Sequence, residues 1–230
     1  MSGPSGGWRA NRDPIVRTLE SRLFVDDILG RLAAGNFSLA AWASFFARTI
    51  DRSAAQARVR PIAAGEVTAL HLLASARGNW LWTSVCWLVC ITHLGLLGHR
   101  STLGWPNRLT LVRALLPALA PSSRWISLAA LATDLADGHL ARRGAETAFG
   151  AFADPIADGV FWSWYALRWE RNSWLRWLPL TAFTATMAAV AGGYFGLART
   201  IDYPRPMSFR YLSGAAQTVI ALRVFREGAR

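Results

Sequence analysis

The hydrophobic positions fall into a series of uninterrupted apolar runs, with no strict alternation of apolar and polar residues. From Asn79 to Leu97 the chain runs for 19 residues without Asp, Glu, Lys or Arg, close to the ~20 apolar residues that a bilayer span requires. Gly and Pro signals then break the pattern between Gly98 and Asn107. Pro106-Asn107 predicts a helix start, with Asn107 as N-cap for Leu109 onward. A helix over 109–120 follows, in which Pro117 is placed to introduce a kink, and Pro121-Ser122-Ser123 predicts a turn. Further helices are expected over 124–142, from about Phe149 to Trp169, over Trp174–Leu197 and over Ser208–Phe225, with a polar loop at 143–147. The pattern thus predicts an all-α, polytopic transmembrane bundle of about six apolar helices, several only just long enough to cross.

The region before this bundle is more polar. Residues 1–12 have the Gly, Ser and Pro content of a disordered start, and 13–76 read as short helices. The apolar segment Phe37–Phe46 is too short to span. Flanked by Arg31, Arg48 and Arg52, it suits either the interface plane or a packing helix on the soluble side. Two regions are therefore expected: a cytosolic or interfacial helical extension over 1–76, and a transmembrane domain over 77–230. The first 30 residues lack the apolar stretch of a signal peptide.

Composition sharpens the membrane assignment. Hydrophobic residues make up 53% of the chain, charged residues 17%, and mean hydropathy is +0.22, against about 25% charged in a typical soluble domain. Twelve Trp, several near the ends of apolar runs, suit an interfacial aromatic belt. The net charge of +11 comes with 25 arginines and no lysine. These arginines are scattered between apolar runs and form no basic stripe, which favours lipid headgroups or phosphorylated substrates over nucleic acid. Cys86 and Cys90, one helical turn apart in an apolar run, read as small buried hydrophobes.

The chemistry lies in one stretch. Asp134, Asp137, Gly138, Ala141 and Arg142 fall at offsets that form a single helical stripe, and Gly150, Asp154 and Asp158 form a second. A short joining loop lets the stripes face each other, so that four carboxylates converge. Each ionised Asp inside a bilayer costs ~2.5–3.5 kcal/mol on insertion scales. Arg113 and Arg142 can neutralise two of the four, and divalent cations account for the rest. Oxygen-only ligands select hard ions such as Mg²⁺, Mn²⁺ or Ca²⁺ rather than zinc. Two such ions bridged by carboxylates would clamp a phosphate for in-line displacement. The small residues on these stripes either leave space for a ligand or allow close helix packing. Arg142 is placed to bind phosphate, although a snorkelling cation at a helix end occupies the same position. Asp158, deepest in its helix, is the best candidate for general base, a role compatible with metal ligation.

These residues resemble the signature of the CDP-alcohol phosphatidyltransferase family, D-x2-D-G-x2-A-R-x8-G-x3-D-x3-D. All eight fixed positions are matched, by Asp134, Asp137, Gly138, Ala141, Arg142, Gly150, Asp154 and Asp158. The segment Pro106–Arg113 is similar to the family's first core helix, and Ser213–Thr218 more weakly to a later one, so the resemblance covers about 105–225. It implies transfer of a substituted phosphate from a CDP-linked donor, commonly CDP-diacylglycerol, to an alcohol, with release of CMP, in phospholipid synthesis. It implies a metal site of Asp134, Asp137, Asp154 and Asp158 holding Mg²⁺ or Mn²⁺, as two ions, with Asp158 also the base. By position, Gly138, Ala141, Arg142 and Gly150 would line the CDP site, with Asn107 and Arg113 as weaker members. A multi-pass location in the cell membrane, a cytoplasmic active-site face and an option of homodimerisation follow from the same resemblance.

The sequence departs from that pattern in three ways. Only seven residues, 143–149, separate Arg142 from Gly150 where the pattern has eight. Their loop-like composition predicts that an earlier start of the second helix absorbs the deletion; otherwise the stripes are rotated by ~100°. The span between Asn107 and Asp134 is short, leaving two stunted helices around the Pro121 turn. Five core helices follow residue 107 where six are usual. A spanning 79–97 helix combined with a cytoplasmic active site would place the basic N-terminal region outside, against the positive-inside tendency. Arg199, Arg205 and Arg210 lie where they could recognise a phosphorylated acceptor, or serve only as topology charges. Two other functions fit parts of the pattern: a non-catalytic membrane protein that binds metal or nucleotide, and a cation transporter. The transporter is disfavoured because no second acidic cluster marks an exit.

Overall fold

The computed structural model describes residues 14–77, 79–140, 147–200 and 207–228; the side chains at 14–19, 137, 138, 140, 207–212, 227 and 228 lie outside that description. Among the described residues every regular element is helical. The helices are α1 (Pro14–Ala34), α2 (Leu39–Val59), α3 (Pro61–Ser75), α4 (Trp80–Thr92), α5 (Gly104–Leu119), α6 (Ile126–Leu140), α7 (Ala148–Trp169), α8 (Ser173–Leu197) and α9 (Met207–Gly228), with a 3₁₀ turn at Leu94–Leu97.

Most starts have a local cause. The side-chain oxygens of Ser38, Asn79, Thr147 and Asn172 accept hydrogen bonds from backbone N–H groups in the first turns of α2, α4, α7 and α8, satisfying donors that otherwise have no partner. Pro61 opens α3 at a position where no N–H is needed. Helix α5 differs from expectation. It begins at Gly104 and contains Asn107, so Asn107 is not its N-cap. Pro106 sits in the first turn, and the Asn107 carboxamide Nδ2 donates back to the Leu103 carbonyl at 2.7 Å.

The expected helix over 79–97 is cut short. Helix α4 ends at Thr92 and at ~1.5 Å per residue is about 20 Å long, below the ~30 Å of a hydrocarbon core. Helix α2 supplies the competing contacts. The Ser53 hydroxyl donates to the Thr92 carbonyl at 2.5 Å and accepts from the Gly95 N–H at 3.0 Å. Arg52 and Arg60 donate to the carbonyls of Gly95 and Gly98 at 3.0 and 2.7 Å. The backbone at 92–98 therefore turns towards α2, through the 3₁₀ turn, instead of continuing as α-helix.

Among the described residues one helix, Ser173–Leu197, is both long and apolar enough to cross a membrane, and none of its apolar window is buried within the chain. The all-α class holds, whereas length and apolarity do not support six spans. Cys86 and Cys90 are free thiols, Cys90 buried and Cys86 partly so.

Helices α5 to α9 form the bundle around the site. Asn107 and Arg113 of α5 meet Thr147 and Asp154 of α7 in ascending order, so these two helices run parallel. Leu116, Ile126, Ala130, Phe161, Trp162, Tyr165, Ile220 and Val224 form a core from α5, α6, α7 and α9. A second core joins Ala63 and Val67 of α3 to Cys90 of α4, Leu111 of α5 and Phe149 of α7. At the C-terminal end of α8, the Asp26 carboxylate of α1 accepts from the Thr200 N–H at 2.5 Å and the Thr200 hydroxyl at 2.8 Å. Trp42 of α2 packs edge-on against Phe195 there, with ring centroids 5.3 Å apart.

Candidate active site

The site occupies the end of the bundle where α5 and α7 begin and α6 ends. Arg113, two turns into α5, is completely buried. Its Nη1 lies 3.3 Å from Asp134 Oδ1 on α6 and 3.0 Å from Asp154 Oδ1 on α7, and it is paired more tightly still with Asp158 Oδ1. Its Nε faces the Thr133 hydroxyl at 3.4 Å. The three aspartates are partly exposed, at 43%, 38% and 26%, so the arginine backs the cluster while the carboxylates remain open to a ligand. One oxygen from each of the three lies within 4.8 Å of the others.

The α6 and α7 stripes thus meet at three of their four carboxylates despite the short connection. Helix α7 begins at Ala148, one residue before the expected Phe149, with Thr147 as its cap. Asp137 and Gly138 lie on α6, but the Asp137 side chain is outside the described residues. So are Ala141, Arg142 and Arg205, and the Arg210 side chain on α9. Arg199 is described and exposed, just beyond the end of α8.

One turn earlier on α7 a second cluster forms. The buried Asn107 donates from Nδ2 to Thr147 Oγ1 at 3.1 Å, and Thr147 Oγ1 accepts from the Gly150 N–H at 2.9 Å. A Cβ on Gly150 would lie 2.6 Å from Asn107 Oδ1. The glycine is therefore required by the close approach of the Asn107 carboxamide, and Asn107 itself ties α5 to the first turn of α7. Sequence reasoning missed Thr147, although a Thr immediately before an apolar run is a readable N-cap signal. It also missed Glu66 on α3, which accepts from the Leu103 N–H at 2.9 Å and from Arg108 Nη2 at 2.6 Å. Burial opposes ionisation of Glu66. The hydrogen bonds from Arg108 and Leu103, together with the Arg108 charge, prevail and hold its carboxyl below the usual range.

Among the described residues, three carboxylates face one guanidinium, so these groups carry more negative than positive charge. Oxygen donors with that residual charge fit a divalent hard cation. Carboxylates from two helices, backed by a buried arginine, are placed so that they could hold a cation. A family model for CDP-alcohol phosphatidyltransferase matches residues 103–225, more than half of the chain, and the chain belongs to that family. Family members are membrane proteins that use divalent metal ions and transfer substituted phosphate groups from a CDP-alcohol. No curated protein and no solved structure gives a significant match.

Proposed function

We propose that this protein transfers a phosphatidyl group from CDP-diacylglycerol to a small alcohol and releases CMP, as a step of phospholipid synthesis at the cytoplasmic face of the cell membrane. The observation that carries this reading is the convergence of Asp134, Asp154 and Asp158 on Arg113.

Asp134, Asp137, Asp154 and Asp158 would hold Mg²⁺ or Mn²⁺. Bound there, such ions would neutralise the diphosphate and stabilise the charge that develops on the departing CMP oxygen. Arg113 fixes the carboxylates of both helices relative to one another before any ligand enters. Asp158, the least exposed of the three described aspartates, accepts the proton of the acceptor hydroxyl. The acceptor oxygen forms a bond to the phosphorus that carries diacylglycerol, the bond from that phosphorus to the CMP oxygen breaks, and CMP takes the electron pair. Gly138, Ala141, Arg142 and Gly150 would line the cytidine and diphosphate. Arg199, Arg205 and Arg210 would meet a phosphorylated acceptor, such as an inositol phosphate or glycerol phosphate.

The test is to incubate the purified protein with CDP-diacylglycerol, Mg²⁺ or Mn²⁺ and a panel of alcohols, and to measure CMP. Release with at least one acceptor, lost in Asp158→Asn, is expected. Binding of CDP without turnover for any acceptor would replace the enzyme with a non-catalytic nucleotide binder.

A further inference from the structure

The matched family region begins at residue 103, yet the contacts that fix the start of α5 come from outside it. Glu66 on α3 accepts from the Leu103 N–H at 2.9 Å and pairs with Arg108 at 2.6 Å. It thereby holds both the residue before α5 and a side chain one turn in. On the other side of the same backbone, the Leu103 carbonyl accepts from Asn107 Nδ2 at 2.7 Å. Asn107 in turn reaches Thr147 Oγ1, which caps α7 at the Gly150 N–H. A continuous path of hydrogen bonds therefore runs from α3 to the first turn of α7, one turn ahead of Asp154.

Packing follows the same route. Ala63 and Val67, which flank Glu66 on α3, are fully buried in a core with Leu103, Leu111 and Phe149. Helix α2 secures the preceding loop, since Gln56 Nε2 donates to the Arg100 carbonyl at 3.2 Å and Arg60 to the Gly98 carbonyl.

We infer that Glu66 is a positioning residue for the donor site, through which the N-terminal helices set the register of Asn107, Thr147 and Gly150. This inference rests on the proposed CDP site at Gly150. Glu66 acts through other residues: among the described residues its path of hydrogen bonds leads to the α7 cap, on the proposed donor side. Arg108, stacked at 4.9 Å on the Trp105 ring, contributes the charge that keeps Glu66 ionised and in place.

The full-length protein in detergent, with Mg²⁺, provides the test. Glu66→Ala, Glu66→Gln and Arg108→Ala are compared with wild type by calorimetric titration of CDP and by KM for CDP-diacylglycerol and for the alcohol. Glu66→Ala is expected to weaken CDP binding and raise the donor KM about tenfold, with the acceptor KM within twofold of wild type. Glu66→Gln, which keeps an acceptor for the Leu103 N–H, is expected to lose less than Glu66→Ala. A purely structural role would lower Tm without separating the two KM values, and that result overturns the inference. If Glu66→Ala does not fold, Arg108→Ala and Glu66→Gln decide: a donor KM equal to wild type in both overturns it. Wild-type protein that binds no CDP removes the donor-site reading itself. Wild-type binding matched by all three variants removes only the role of Glu66.

Discussion

Replacing Arg113 with Met keeps an unbranched apolar stem and removes the charged guanidinium on which three carboxylates converge. Their closest oxygens lie within 4.8 Å of one another. At an effective dielectric of about 20, each such pair repels by about 3.5 kcal/mol. Deleting one partner of a buried ion pair costs about 3–5 kcal/mol, and Arg113 is fully buried with three partners, so the upper part of that range is expected. At about 2–4 °C per kcal/mol for a chain of this size, Tm in EDTA should fall by roughly 10–20 °C. A divalent cation at one hundred times its Kd returns about 2.7 kcal/mol. In the wild type part of that gain would be lost, because Arg113 would compete with the ion for the same three carboxylates. Mg²⁺ should therefore raise the Tm of Arg113→Met by more than it raises that of the wild type. Thermal unfolding followed by circular dichroism, with EDTA and with saturating Mg²⁺, measures all four values. Equal increments in the two proteins, or a metal-free variant as stable as wild type, would refute the reasoning.

Other perturbations have equally definite outcomes. Gly150→Ala places a Cβ 2.6 Å from Asn107 Oδ1 and should destabilise by about 1–3 kcal/mol; adding Asn107→Ala should make the combined loss smaller than the sum, as read by a double-mutant unfolding cycle. A Cβ on Gly159 would overlap one edge of the Phe183 ring of α8. Gly159→Ala should therefore lower Tm sharply, and unchanged Tm would show that α7 and α8 pack less closely. Thr147→Val removes the oxygen that caps α7 and joins it to Asn107; a loss of about 1–2 kcal/mol is expected, with weaker CDP binding. Asp158→Asn should abolish CMP release, measured with CDP-diacylglycerol and the acceptor that supports wild-type turnover.

Much of the bundle was readable because its signals are local. Helix α7 begins one residue from the expected Phe149, and α8 one residue from the expected Trp174, since each opens a long apolar run. The two Asp stripes were readable for the same reason: helical periodicity fixes which residues share a face. Where nonlocal partners decide, the sequence was misleading. Nothing near Thr92 announces that Ser53, far away in α2, will take its carbonyl and end α4. Pro106-Asn107 carries a start signal, but the proline sits inside the first turn and the Asn side chain turns back to Leu103, moving the true start to Gly104. Arg113 was recognised as a neutralising charge. That one nitrogen would serve three carboxylates depends on the crossing of three helices, which no local pattern encodes.

The clasp between Asp26 and Thr200 joins residues 174 positions apart. During synthesis α1 precedes α8, and the clasp cannot close until residue 200 has left the ribosome. Contacts of such separation form late, because the loop between them must be ordered first. Until then Trp42 lacks the Phe195 ring that it packs against in the finished protein. The contact of α1 and α2 with the end of α8 is thus among the last to close, although α2 can meet residues 92–98 earlier.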